Sequence, residues 1–347
     1  MLSLAPSLEL LLRPPRWIAA NANPVWLATR VTVIRNLVGA PFVPEGTDRR
    51  RLLEQLEVLT DILGPGARQA VFDDHGGTGW WSERALWPPV LTENARLFLS
   101  DGEDRWLILG GQDHAVFSAV ETSPGRGGLL DQVRLFDEAF SAVGEAAHHD
   151  EHGYLTSSPR RAGAGVGVEL VLHLPALMLT RQLRRLLSAA AQLGFWGTAI
   201  GPVGGGMVTL VNLVALRHGP GELLDSAGRV GELLAGAEES ARGALLAGRR
   251  NLVEDGVGRA WGILNRGTHF EELEAGTLCS WIRLGRCLDL LHRPSLNRIN
   301  AALWSLQGDL LESLADWRST TPRLGRLVSP SGGRHRGRRQ RPPRGSC

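Results

Sequence analysis

The chain has 347 residues, 43% hydrophobic and 21% charged, enough apolar material for about two domains with sizeable cores, which excludes a disordered or fibrous protein. All 38 basic residues are Arg, so Schiff-base chemistry on lysine and phosphate binding by a P-loop lysine are excluded as well. The net charge of +2 sits at one end: residues 334–344 (RHRGRRQRPPR) carry six Arg and no acid, and the remainder, 32 Arg against 36 acids, stands at −4, which argues against a basic nucleic-acid footprint spread over the fold.

At the N-terminus (MLSLAPSLELLLRPPR) no basic residue precedes the apolar run and Glu9 interrupts it, so no signal peptide is expected. Leu52, Leu53, Leu56, Leu59, Ile62 and Leu63 share one face of a helix over 47–63, with Thr47 as its cap. From Arg84 to Val120, apolar runs at 97–99, 106–109 and 115–120 are separated by Asp101-Gly102 and Gly110-Gly111, the pattern of antiparallel strands joined by tight turns. Leu129–Ala147 reads as an amphipathic helix. His148, His149, Asp150, Glu151 and His152 form the densest polar cluster, but the spacing lacks an i,i+4 pair with a third ligand, so a solvated loop explains it better than a metal site. Gly163, Gly165 and Gly167 could cradle a phosphate through backbone N–H groups, or let a strand pack closely; the second is the commoner use.

Val166–Leu172 reads as a strand, and Leu174–Leu193 as a helix with Pro175 in its first turn. The run Leu186–Leu216 carries no charge and is long enough to span a membrane. Gly194, Gly197, Gly201, Pro202, Gly204, Gly205 and Gly206 lie inside it, so it is read as a helix end followed by two buried strands, about Leu193–Ile200 and Met207–Leu216. A soluble, cytoplasmic protein is expected, and three Cys without paired spacing fit a reducing compartment. Leu223, Ala227, Val230, Leu234, Ala237, Ala241, Ala244 and Gly248 recur at three- and four-residue spacing along one long helix, followed by helices over 251–265, 269–291 and 295–315. Cys279 and Cys287 lie within that apolar helical pattern and read as small buried hydrophobes. The fold class expected is α+β, an antiparallel sheet flanked by helices and then an all-helical domain. The divisions are an N-terminal extension (1–23), the sheet domain (24–220), the helical domain (221–328) and a disordered Arg-rich tail (329–347).

Residues 153–182 (GYLTSSPRRAGAGVGVELVLHLPALMLTRQ) resemble the signature segment of the bacterial protein-arginine kinases, a branch of the ATP:guanido phosphotransferases. Further segments resemble the same family in the same order: TRVTVIRNL (Thr29–Leu37) with Pro41-Phe42, LWPPVLTE (Leu86–Glu93), Gln112-Asp113-His114, RAWGIL (Arg259–Leu264), IRLG (Ile282–Gly285) and LNRINAALWSLQ (Leu296–Gln307). The resemblance implies an antiparallel-sheet catalytic domain and a helical domain used for dimerisation and substrate recognition.

It also implies a nucleotide site over Ala28, Thr29, Arg30, Val31, Thr32, Ala85, Val116, Gly167, Val168, Glu169, Leu170, Val171, Thr198 and Val203. Of the family's phosphate-binding arginines only Arg30 remains; Thr32, Val116, Gly167 and Thr198 stand at the other arginine positions, and Ala85 replaces a histidine. The family's glutamates fall on Gly111, Gln112 and Val203, and its signature cysteine on Ser158. Phosphoryl transfer to a guanidinium depends on positioning and on neutralising charge spread over the phosphoryl oxygens. These replacements remove that charge, so a catalytically inactive member with a regulatory or scaffolding role and no cofactor is expected. The alternative is an active, ATP–Mg²⁺-dependent protein-arginine kinase with an atypical site drawn from Arg30, Asp113, His114, Arg160 and Arg161.

The expected partner is a protein, a second copy or an active paralogue, bound through the helical domain; the face bearing Leu223, Ala227, Val230 and Leu234 either makes that contact or packs internally. Tail residues Arg334, Arg336, Arg338, Arg339, Arg341 and Arg344 are expected to bind polyanions weakly, and no membrane or metal is expected.

Overall fold

The computed structural model describes residues 15–19, 23–43, 45–70, 95–122, 127–199, 205–267 and 270–306. The N-terminal stretch up to residue 14, the LWPPVLTE segment with Ala85, the loop position Val203 and the Arg-rich tail lie outside the described residues.

A short helix α1 (Arg16–Ala19) leads into strand β1 (Trp26–Arg35). Then come α2 (Gly46–Leu56) with a 3₁₀ extension (Glu57–Leu63), and β2 (Arg68–Ala70), β3 (Arg96–Leu99), β4 (Arg105–Leu109) and β5 (Ala115–Glu121). Next are α3 (Gly127–Val143), the hairpin β6 (His148–His149) and β7 (Gly153–Tyr154), β8 (Val166–His173), α4 (Pro175–Leu179), α5 (Leu183–Gln192), β9 (Phe195–Ala199) and β10 (Met207–Asn212). The described chain ends with α6 (Pro220–Arg266), α7 (Glu272–Cys287) and α8 (Leu296–Ser305). The sheet is antiparallel, in the order β2-β3-β4-β5-β1-β8-β10-β9.

β1 and β8 are buried almost throughout because both faces of the sheet are covered. Side chains alternate between the faces with period two. Val31, Val33, Phe117, Val168 and Leu170 join one apolar cluster with α2, α3, α4 and α6, while Ala28, Ile34, Trp106, Val116 and Val171 join another with α1, α7 and α8. The helices after Gly219 therefore share their cores with the sheet.

Several expectations are corrected. The helix over 47–63 begins at Gly46, with Glu45 at its cap position in place of Thr47, and tightens to 3₁₀ geometry after Leu56. Leu174–Leu193 is two helices. Gln182 N–H reaches back to Leu177 O at 2.8 Å and Arg181 adopts a left-handed φ of 60°, which ends α4 in a Schellman-type turn. Of the two strands expected to be buried, β9 is the outermost in the sheet and Trp196 is 53% exposed. The long helix does not stop at Gly248: α6 continues through a kink at Arg249 (φ −142°, ψ 35°) and takes in the separate helix expected over 251–265. Its stripe residues Leu223, Ala227, Val230 and Leu234 pack inward on the sheet, and beyond Ala241 the buried face passes to Leu245, Val253, Val257 and Ala260.

A buried polar network ties the last helices to the first strand. Arg283 donates to Asn300 Oδ1 (2.9 Å), Pro24 O (2.6 Å), Asn23 O (2.7 Å) and His173 Nδ1 (2.8 Å). His173 Nε2 donates to Ser280 Oγ at 2.7 Å. Burial, and then the adjacent Arg283 and Arg242, hold the His173 imidazole well below its ordinary pKa, so it stays neutral in the folded chain. The unfolded chain takes up this proton near pH 6.5, whereas the folded chain resists it to much lower pH. Over that window the unfolded state binds more protons, so stability is full above about pH 7 and is lost on acidification, by up to about 1.4 kcal/mol per pH unit from this residue. Urea midpoints should fall between about pH 7.5 and 5.5, and His173→Gln should flatten that slope; an unchanged slope in the variant refutes the assignment.

Candidate functional site

The register of the central strands builds the site. Arg30 on β1 lies opposite Glu169 on β8, and Thr32 lies opposite Gly167 on β8 and Ser118 on β5. In the centre of a sheet a buried charge needs a partner, and each of these two supplies the other: Arg30 Nη2 is ion-paired with Glu169 Oε2, both side chains almost wholly buried. Arg30 also lies over the Trp106 ring, 5.7 Å from its centroid. A second guanidinium closes in from the loop before β8. Arg161 Nη1 donates to Asn212 Oδ1 at 2.9 Å, and its Nη2 lies 3.8 Å from Glu169 Oε1. Burial pulls the pKa values of both arginines down, with Glu169 pulling each back up.

Above this triad opens a cavity of about 440 Å³. Its wall brings together Arg30, Thr32, Gly111, Gln112, Asp113, Val116, Ser158, Arg160, Arg161, Glu169 and Thr198 from the positions singled out in the sequence, with Trp196, Asn212 and Ser157 added. The other positions implied by the resemblance fall elsewhere. Ala28, Val31, Val168, Leu170 and Val171 are core residues, and Thr29 is buried, its hydroxyl accepting from Trp26 Nε1 at 3.1 Å.

Asp113 lines the wall but is engaged in scaffolding. It accepts from Asn36 Nδ2 (2.7 Å), Ser157 N (2.7 Å) and Ser157 Oγ (2.5 Å). His114 is not in the wall; its Nδ1 accepts from Leu37 N (2.9 Å), its Nε2 donates to Pro41 O (2.7 Å), and burial lowers its pKa, so it is held neutral as a strut. Among the described lining residues the carboxylates are Asp113 and Glu169, and both are engaged.

The glycine run is a packing device. A Cβ at Gly163 would run into the backbone of Leu216, one at Gly165 into the Arg35 guanidinium, and one at Gly167 into the Arg161 guanidinium. Arg161 thus occupies the space beside β8 that a side chain at position 167 would take. The cluster at 148–152 is an exposed hairpin in which His149 stacks on His152 at 4.7 Å and His148 meets Tyr154 edge-on at 5.2 Å. Among the described residues no group of three His, Cys, Asp or Glu could hold a metal ion, and no helix is long and apolar enough to cross a membrane.

The pairing of Glu169 with Arg30 and Arg161 had one sequence signal, a single acid flanked by apolar residues inside the strand VGVELVLH, because an acid there is rarely tolerated unpaired. The contributions of Asn212 and Trp196 had none.

Residues 91–212 match the family model for the ATP:guanido phosphotransferase C-terminal catalytic domain. The protein-arginine kinase of Bacillus subtilis (strain 168) is 29% identical over 239 residues, 66% of this chain and 65% of the relative, so the match spans slightly less than two thirds of that relative's length. The protein-arginine kinase of Brevibacillus brevis is 27% identical over 319 residues, 85% of this chain and 87% of the relative. Among solved structures, the duplicated taurocyamine kinase from Schistosoma mansoni with bound transition state analog components aligns with a TM-score of 0.51 at 16% identity, over 69% of this chain and 36% of that one. A lombricine kinase aligns with a TM-score of 0.50 at 13% identity, over 70% of this chain and 73% of that one. These two likenesses are of fold.

Proposed function

The chain belongs to the ATP:guanido phosphotransferase family, and we propose that it is a member that has lost phosphoryl transfer and acts by binding, as a regulatory or scaffolding protein in the cytoplasm. The observation that carries this reading is the pairing of Arg30 with Glu169. The one family arginine left for phosphate is neutralised from inside the sheet by a carboxylate that also lies against Arg161. A transferring phosphoryl group needs several unpaired cations at once, and among the described lining residues the one arginine outside an ion pair is Arg160, so the residues present supply little of the charge that ATP–Mg²⁺ requires.

The guanidinium to be phosphorylated needs a carboxylate to orient and deprotonate it. Asp113 is held by hydrogen bonds from Asn36 and Ser157, and Glu169 is ion-paired with Arg30, with Arg161 3.8 Å away. Loss of a single electrostatic donor costs about 10²- to 10³-fold in rate, and here the donors and the base are missing together.

The second reading, an active kinase with an atypical site, draws on the Arg161 guanidinium in the space beside Gly167. Incubation of the full chain with ATP, Mg²⁺ and an arginine-rich protein, followed by ³¹P NMR, distinguishes the two. The expected result is no phosphoarginine above the protein-free background. A phosphoarginine resonance that disappears in Arg161→Ala establishes the second reading.

A further inference from the structure

The outer edge of the sheet carries an apolar surface that the fold covers only in part, with Leu183, Leu186 and Leu187 half-buried against the core and Leu193 and Trp196 exposed. In α5 the residues Leu183, Leu186, Leu187, Ala190 and Ala191 form one apolar stripe, yet only Ala190 is buried. The helix lies beside β9, whose far side pairs with no described strand. Between them runs a groove of about 660 Å³ lined by Met178, Leu183, Leu187 and Trp196, with Arg181 and Arg184 on its rim. Trp196 is 53% exposed and neighbouring Leu193 58%. Gly197 shapes the groove floor: a Cβ there would stand 2.6 Å from Leu187 Cδ2, so the glycine lets Leu187 lie flat on the strand.

Charge at this edge has one sign. From Leu174 to Leu216 the chain has no acidic residue and three basic ones, Arg181, Arg184 and Arg185, all exposed and, among the described residues, outside any ion pair.

We infer that the β9–α5 edge is a docking site for an extended acidic segment of a partner protein. Its backbone adds a strand to β9, an apolar side chain enters the groove beside Trp196, and its carboxylates meet Arg181, Arg184 and Arg185. Strand addition satisfies the open main-chain groups of an edge strand, while the pocket and rim charges supply specificity. The concave groove and open strand favour a peptide over an anionic lipid surface, which takes a protruding apolar helix face. Trp196 also borders the arginine-lined cavity, but the inference stands whether or not that cavity turns over ATP.

The test is fluorescence anisotropy of the full chain with a fluorescein-labelled peptide, Glu-Asp-Leu-Glu-Phe-Glu-Leu-Asp-Glu-Gly, and with its backbone N-methylated counterpart of identical charge. The Arg-rich tail attracts both peptides equally; only strand pairing separates them. The expected result is tighter binding of the unmethylated peptide by about tenfold or more, and a comparable loss in Trp196→Ser and in the double variant Arg184→Glu/Arg185→Glu. Equal binding of the two peptides by the unaltered chain overturns the proposal, as does unchanged binding by either variant with a native circular dichroism spectrum. Cosedimentation with phosphatidylglycerol vesicles that the same substitutions abolish, while peptide binding persists, overturns it in favour of a lipid surface.

Discussion

Replacing Glu238 by Ala should lower the thermal midpoint by an amount on the order of 10 °C, from a loss of roughly 3–5 kcal/mol. Glu238 lies on α6 with no exposed surface, and it holds three donors at once: Ala176 N (3.0 Å) and Leu177 N (2.9 Å) at the start of α4, and Arg242 Nε (2.7 Å). Arg242 in turn reaches Pro24 O at 3.1 Å, so this one carboxylate links the long helix, the helix after β8 and the entry to β1. Burial raises the pKa of Glu238 against the opposing pull of Arg242, a sign that desolvation outweighs the pairing. The pair is therefore costly to break and adds little as a pair. The double variant Glu238→Leu/Arg242→Met should recover only part of the lost stability, because it removes both charges but leaves the Ala176 and Leu177 N–H groups without their acceptor. Differential scanning calorimetry of the single and double variants checks both parts. A Glu238→Ala midpoint within about 2 °C of the parent contradicts the assignment.

Replacing Glu169 by Ser should be similarly destabilising in low-salt buffer, since it leaves Arg30 and Arg161 buried without their shared counter-ion, again at roughly 3–5 kcal/mol. The loss should be reversible in a way that the first is not. Inorganic phosphate can enter the cavity and take the place of the carboxylate, adding about 2.7 kcal/mol once it is present at a hundred times its dissociation constant. The midpoint of Glu169→Ser should therefore climb with phosphate while that of the parent chain stays level. Should the parent climb equally, Arg30 and Arg161 are already open to anions, and the proposed loss of nucleotide binding fails with them.

Much of the fold was legible in the chain itself. The apolar runs at 97–99, 106–109 and 115–120 and the breaks at Asp101-Gly102 and Gly110-Gly111 correspond to β3, β4 and β5, and the stripe from Leu223 onward corresponds to α6. Both signals are local, since a strand buried on both faces is a short apolar run bounded by turn residues and a helix facing a core repeats its apolar residues with its own period. The family was legible for a related reason: its motifs are short, ordered segments such as GYLTSSP and HLPALMLTRQ. The split of Leu174–Leu193 at Arg181 was not, because no Gly or Pro stands at the turning residue, and the passage of α6 through Arg249 was not, because Gly248 beside it reads as a helix end.

The losses at the candidate site could be read position by position, as with Gly111, Gln112 and Val116. Its present electrostatics could not. Arg30 and its pairing partner Glu169 are separated along the chain by the whole span from β1 to β8, and only the register Arg30↔Glu169 brings the charges together. The same register leaves Gly167 as a gap that Arg161 fills from a loop. Sequence thus determined which residue types exist and how each segment repeats. Tertiary structure decided which charges cancel, because ion pairing depends on distances of a few ångströms between residues far apart in the chain, and on the burial that makes an unpaired charge untenable.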